Sequence, residues 1–387
     1  MPICRMPDVK TMAHMDVKPL EAKPDWPVAA RRWSAFWNDE IPADRVLMSL
    51  RVRRDCPKYP APQPPASLEA YHTDLDFFIK RRLHEVMKLE YLAEAIPSTW
   101  ISITGAYLGI LLGGQLKPME NGVIHCEPFV DDWSKVERLA VDRRSRWYDL
   151  SMKQLDLLCR HADKFLIRLP DFHGVSDALC SIRGGTQLAF DIIDQPATIR
   201  KASCQIMQAW QDAWNEAHAC ISRVQPGSCI WLGMWHPGRM EVIQEDFADN
   251  LSVDQYREHF LPLDREFSLT MDRTMFHLHN TMFRYQEVVL DVPEISGGQF
   301  SPPRAPGTMD PLPVSAELAM FRKLQEAGKK TWYLFLDEAD MKTAILNGDP
   351  RHLFLISPIL NDRDEARRLM GIAETCTQER KKQLGMR

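Results

Sequence analysis

The sequence has no run of about 18 or more apolar residues, so it carries no signature of a membrane-spanning helix. Its longest greasy stretch, residues 101–113, is interrupted by Thr104, Gly105, Tyr107 and Gly109. There is no long basic tract, and a net charge of -5 is spread over interspersed acids and bases, so nucleic acid is not an expected partner. The run Arg51-Val52-Arg53-Arg54 is too short to argue otherwise and reads as a solvated loop or an anion clamp at a pocket mouth. The start of the chain, Met1-Pro2-Ile3-Cys4-Arg5, lacks the apolar core of a secretion signal. Nine cysteines stand singly, with no Cys-x-x-Cys pair, which points to a reduced, cytoplasmic setting. The Gly-x-Gly-x-x-Gly turn of a dinucleotide-binding sheet and the Gly-x-Ser-x-Gly elbow of a serine hydrolase are both missing.

What is present is a chain of 387 residues, 45% of them hydrophobic, enough to bury a large core. Residues 1–40 read as a polar, proline-containing arm followed by a short helix at 26–37 anchored by Trp33, Phe36 and Trp37. From residue 41 to 375, short apolar runs alternate with amphipathic ones, and residues 376–387 read as a polar tail. Eight apolar runs are expected to be strands: 45–52, 100–108, 164–172, 228–235, 275–280, 295–300, 330–337 and 352–359. Helical stripes fall at 133–162 and 197–223, the second carrying Ile199, Ala202, Ile206, Ala209, Trp210, Ala213 and Ala217 at helical spacing. Strands alternating with helices imply parallel pairing and right-handed crossovers, and eight of them close a (β/α)8 TIM barrel. An open doubly wound sheet is the alternative.

In a barrel the working residues stand at the carboxyl ends of the strands. His277 and His279 are two apart in an extended run, so both would project from one face, a pair suited to holding a metal, gripping an anion or moving a proton. Asp171 would orient a histidine or accept a proton, with His173 beside it. Arg51, Arg53, Tyr107 and Gln299 stand at other strand ends as candidate substrate contacts. Trp235 would form a pocket wall and His236 a donor to an anionic substrate. Asp337 and Glu338 close another run, where one acid would point inward. For Arg183 an ion pair with Asp177 or Asp191 is preferred over a substrate contact.

Several stretches resemble the uroporphyrinogen decarboxylase superfamily: Gly233-Met234-Trp235-His236-Pro237-Gly238, Gln244 to Asp249, Leu251-Ser252, Phe260-Leu261-Pro262, Gly174 to Leu179 with Arg183-Gly184-Gly185, and Pro42-Ala43-Asp44-Arg45 before the first strand. The similarity spans about residues 28–372. It implies a (β/α)8 barrel, an acid facing the pocket at Asp246, and one of two chemistries. Decarboxylases of the superfamily grip substrate carboxylates with an Arg-Gln-Ala-Gly-Arg loop, which is absent from Ser49 to Asp55. Its methyltransferases hold zinc with a His-x-Cys and a later Cys, where this chain has His277-Leu278-His279 and the cysteine-free Ile356 to Asn361. Two histidines with Glu338 or Asp337 as third ligand would still make a zinc or ferrous site. The resemblance therefore implies methyl transfer on a small substrate, with a thiol or a corrinoid on a partner protein, and a homodimer. Decarboxylation of a small carboxylic acid, with Arg51 or Arg53 holding the carboxylate, is the first alternative, and a non-catalytic tetrapyrrole- or corrinoid-binding barrel the second.

Overall fold

The computed structural model describes residues 17–41, 44–103, 105–118, 124–278, 285–300 and 318–386. Among the described residues thirteen strands run in chain order as β1 (Leu47–Arg53), β2 (Leu89–Ala93), β3 (Ser98–Thr99), β4 (Gln115–Pro118), β5 (Ile124–Glu127), β6 (Leu166–Ile167), β7 (Ser228–Cys229), β8 (Trp235–His236), β9 (Met240–Gln244), β10 (Arg273–Leu278), β11 (Gly297–Phe300), β12 (Lys330–Leu334) and β13 (Leu353–Leu360). The chain is a mixed α/β fold around a seven-stranded sheet of order β2-β1-β13-β12-β11-β10-β9. Every pairing in that sheet is parallel except β1 with β2. β3 and β6 form a separate parallel pair, and β7 and β8 a separate antiparallel one. Among the described residues no ladder joins β9 to β6 or β3 to β1, so strand pairing does not close the ring into a barrel.

The strand register sorts side chains into two faces. Met240, Val242, Met275, Trp332, Phe354 and Leu47 pack on one side, with the aromatic residues of the helix Trp26–Trp37. Ile243, Phe276, Tyr333, Leu355 and Leu50 pack on the other, among the surrounding helices. The first group follows the pleat, in which alternate residues share a face. The helix Trp26–Trp37 carries Pro27, a residue preorganised for a first helical turn, in its first turn, and buries Trp26, Ala29, Ala30, Trp33 and Trp37 at helical spacing. It sits against the amino ends of the strands. The Arg273 guanidinium, on the first residue of β10, donates to the Trp37 carbonyl, and Lys330, on the first residue of β12, lies over the Phe36 ring.

Two expected strands take another form. In residues 100–108 only Ser98–Thr99 just before them pair as a strand, and Tyr107–Leu111 is a helix. Its apolar residues face the helix Val175–Arg183, so closely that a Cβ on Gly109 would meet Ser181 at 2.8 Å. A short buried run cannot distinguish the two conformations by pattern alone. Residues 228–235 fold back as a hairpin because Gly233 takes φ +69°, a left-handed turn that suits glycine. The expected helix at 133–162 is a short 3-10 turn at Trp133–Lys135 and, after a loop, the helix Arg146–Cys159. The long stripe at 197–223 is the helix Pro196–Ile221, with all seven stripe residues buried. At the carboxyl end the helix Arg363–Gln383 runs through position 376, burying Cys376 and Thr377. Among the described residues no helix is long and apolar enough to cross a membrane.

Candidate functional site

The parallel register places Gln244, His277 and Gln299 side by side near the carboxyl ends of β9, β10 and β11. His277 is buried, on the same face as Met275 and Val242. Its Nδ1 bonds the Gln299 Oε1. A carboxamide oxygen can only accept, so the imidazole donates from Nδ1 and its neutral form carries the lone pair on Nε2. That Nε2 lies 4.0 Å from Asp246 Oδ1. The Gln244 amide donates to Asp246 Oδ2 at 2.8 Å and holds the carboxylate in place. The edge of Trp231 covers the imidazole, ring centres 5.2 Å apart.

A second histidine approaches from the loop after β6. His173 bonds Asp177 Oδ2 through Nδ1 at 2.8 Å, and its Nε2 is 3.5 Å from Asp171. Burial alone would push its pKa down, but the Asp171 and Asp177 carboxylates outweigh burial and hold it well above the ordinary histidine value. His173 thus sits between two carboxylates that favour its protonated form. It adopts φ +58°, unusual for a residue with a side chain, and such conformations concentrate at functional loops. Asp177 also accepts from the backbone N–H of Asp246 at 3.0 Å and of Phe247 at 2.6 Å. This carboxylate ties the helix Val175–Arg183 to the loop after β9. Ligand atoms of His173, Asp177 and Asp246 lie within 4.8 Å of one another.

Beneath them, Glu245 accepts from the backbone N–H groups of Val175 and Ser176, both at 2.8 Å, and so caps the start of that helix. Burial, reinforced by the nearby Asp264 and Asp177 carboxylates, pushes the Glu245 pKa well above the usual carboxylate range. Gly174 is what lets the carboxyl come this close, since a Cβ there would stand 2.1 Å from Glu245 Oε1. Gly174→Ala is expected to destabilise the protein by about 1–3 kcal/mol, the cost of overpacking a fixed neighbour, read as a lower urea midpoint with an unchanged slope.

The structure gathers Asp171, His173, Asp246, His277 and Gln299 of the expected site residues. It adds Asp177, Gln244 and Trp231, which sequence reasoning left out of the site although Asp177 and Gln244 stand in the motifs quoted above. Glu338 does not join them. It opens the helix Glu338–Asn347, which Asp337 caps by accepting from the Asp340 N–H, and its carboxylate faces solvent and pairs with Lys342 and Arg368. The first turn of a helix favours an outward acid, so the residue serves the helix instead of the site. Trp235 and His236 lie at the other end of the sheet, just before β9 begins. The Trp235 ring meets Trp26 at 5.5 Å, and His236 accepts from the Gly238 N–H and packs on Trp37, its pKa pushed down to about 3 by burial. Tyr107 is buried against Phe172, and Arg53 is exposed at the end of β1. Arg51 is half-buried in a cavity with Arg168. Arg183 pairs with Asp191 at 2.6 Å, as expected. His279 lies outside the described residues.

The fold has a solved counterpart. A methyltransferase from Methanosarcina mazei is similar over 90% of this chain and 98% of its own, with a TM-score of 0.57 at 13% sequence identity. That identity speaks to the fold alone. No protein-family model and no curated protein matches the sequence.

Proposed function

We propose that this protein is a methyltransferase-like enzyme of the uroporphyrinogen decarboxylase superfamily, acting on a small substrate at the carboxyl ends of its parallel strands. In this reading the sheet and the β3–β6 pair are parts of one (β/α)8 barrel. The observation that carries it is the His277–Asp246 pair, set by Gln299 and Gln244 at the mouth of a fold shared with a solved methyltransferase.

His277 acts as the base. Its Nδ1–H is fixed by Gln299, and Nε2 takes the proton of a thiol or hydroxyl acceptor. The freed acceptor forms a bond to the methyl carbon as the bond from that carbon to the donor breaks, and the electron pair leaves with the donor. Asp246 faces the imidazole and stabilises the imidazolium formed. Trp231 shields the ring from water. The methyl carrier is a small thioether or a corrinoid held by a partner protein. A zinc or ferrous ion suits an imidazole and a carboxylate, so His277, through the same Nε2, and Asp246 are the residues that would hold one, and an ion there would take the place of His277 as base. When bound, it would supply a lower pKa for the acceptor thiol.

The test is transfer of an isotopically labelled methyl group from methylcobalamin or a methyl thioether to a small thiol, followed by mass spectrometry. Labelled thioether formed by the wild-type protein is the expected result. Release of carbon dioxide from a small carboxylic acid with no methyl product would select decarboxylation instead. Corrinoid binding with no turnover of either kind would select the non-catalytic reading.

A further inference from the structure

Outside the site just described, two cysteines stand in contact. Cys159 is the last residue of the helix Arg146–Cys159, and Cys220 lies one residue before the end of the helix Pro196–Ile221. Their Sγ atoms are 3.8 Å apart, and the Cys159 sulfur is 3.9 Å from the Cys220 carbonyl oxygen. Both side chains are partly exposed, so a small reagent in solution can reach them. The two helices are already fastened to each other. The Tyr148 hydroxyl donates to Glu216 Oε2 at 2.8 Å, and the Arg143 Nε donates to Glu216 Oε1 at 2.9 Å. Disulfide sulfurs stand about 2.05 Å apart, so bonding this pair needs a further approach of about 1.8 Å, which rotation of two side chains at helix ends can share. Burial, reinforced by the Cys220 thiol and by Asp156 and opposed by Arg223, pushes the Cys159 pKa up. Only a thiolate exchanges with a disulfide, so in a reducing medium the pair rests as two thiols.

We propose that Cys159 and Cys220 form a reversible disulfide when the thiol pool around the protein is oxidised, and that this bond staples the segment carrying Asp171, His173 and Asp177. The inference goes beyond the reaction proposed above and does not depend on it. All three of those residues lie between the two cysteines in the chain. β6 leads into them, and both helix ends flank it. It follows the helix Arg146–Cys159 in the chain, and just beyond the helix Pro196–Ile221 the Gln225 side chain accepts from the Ile167 N–H at 2.7 Å and donates to the Ile167 carbonyl at 3.0 Å. A bond between the helix ends therefore holds the chain on both sides of β6. Oxidised glutathione serves as the oxidant. The thiolate of one cysteine attacks a glutathione sulfur, and one glutathione leaves as its thiolate. The second cysteine gives up its proton and attacks the first cysteine's Sγ, and the other glutathione leaves. Two protein thiols are oxidised and one glutathione disulfide is reduced to two glutathione thiols. A link across 61 residues restricts the unfolded chain and so favours the folded one.

The experiment equilibrates the full chain with reduced and oxidised glutathione in varied ratio, alkylates the remaining thiols in denaturant and maps the digest by mass spectrometry. The expected product is a cross-linked peptide pair containing Cys159 and Cys220, abolished by dithiothreitol. Oxidised wild type is expected to melt about 3–6 °C above the reduced protein. Cys159→Ser and Cys220→Ser should each lose that rise and carry glutathione on the surviving thiol. Cys204→Ser, which removes an exposed cysteine of the helix that carries Cys220, should keep the full rise. Cysteines 159 and 220 left free, or held only as separate glutathione adducts, in oxidised wild type would overturn the proposal. So would a cross-link that leaves the melting temperature unchanged, or an equal rise in the two serine variants of the pair.

Discussion

His277→Ala is expected to fold as the wild type does and to lose turnover by about 10²–10⁴-fold, the usual contribution of a positioned base. The loss should fall on kcat, because the base acts on the acceptor during transfer and does little to hold the substrate beforehand. Gln299→Leu is expected to show the same pattern on a smaller scale, roughly tenfold. It leaves the imidazole in place but removes the acceptor that fixes Nδ1–H, so the lone pair is no longer held on Nε2. A purely packing role for Gln299 would instead lower the melting temperature and leave kcat alone. Steady-state kinetics on both variants, with circular dichroism to confirm folding, separates these outcomes. Unchanged kcat in His277→Ala would remove the histidine from the chemistry.

How much of this was legible in the sequence depends on what each residue's period could say. The inward turn of His277 follows from strand pleat alone, because Met275 two residues earlier is an apolar core residue and must share its face. The stripe of Pro196–Ile221 was equally plain, since 26 residues of helical spacing leave little room for another reading. Strands of two residues, such as Ser98–Thr99 and Leu166–Ile167, are too short for periodicity, and their identity comes from pairing that only the fold supplies. β9 was missed for a related reason: all five of its residues are buried, so it shows no alternation.

The site was half legible. Strand ends pointed to Asp171, His173, His277 and Gln299, which the structure does bring together. The same rule brought in Glu338, because a strand end and a helix start are the same few residues in an α/β chain, and the rule does not say which element claims the acid. Trp235 and His236 failed through the hairpin at Gly233, which turns the chain back before it reaches the mouth. Asp177 was weighed only as a partner for Arg183. Its tie to His173 is only four residues long, but its tie to the backbone of Asp246 and Phe247 spans 69 and 70 residues of chain, a contact no local pattern reports.

The largest effect on stability is expected at Glu94, far from the chemistry. Its carboxylate is completely buried and pairs with Arg45 at 2.7 Å and with Arg32 at 2.7 Å, while accepting from the Met48 N–H at 3.0 Å. The Glu94 carbonyl accepts from the Trp33 indole as well, so one residue ties the helix Trp26–Trp37 to the start of β1. Removing it strands the buried Arg45 charge, and a broken buried pair costs about 3–5 kcal/mol. Glu94→Ala is therefore expected to lower the unfolding free energy by that amount, read from the urea midpoint. Burial opposes ionisation here, but Arg45 and the Met48 N–H outweigh it and depress the pKa. A depressed carboxylate stabilises the fold above its unfolded pKa and loses that contribution as the pH falls through its folded one. The wild type should lose stability on acidification over that window, and Glu94→Gln, which has no proton to take up, should show a flatter acid limb from a lower starting point. If the two acid limbs run parallel, Glu94 is not ionised in the native state and the clamp is a neutral one.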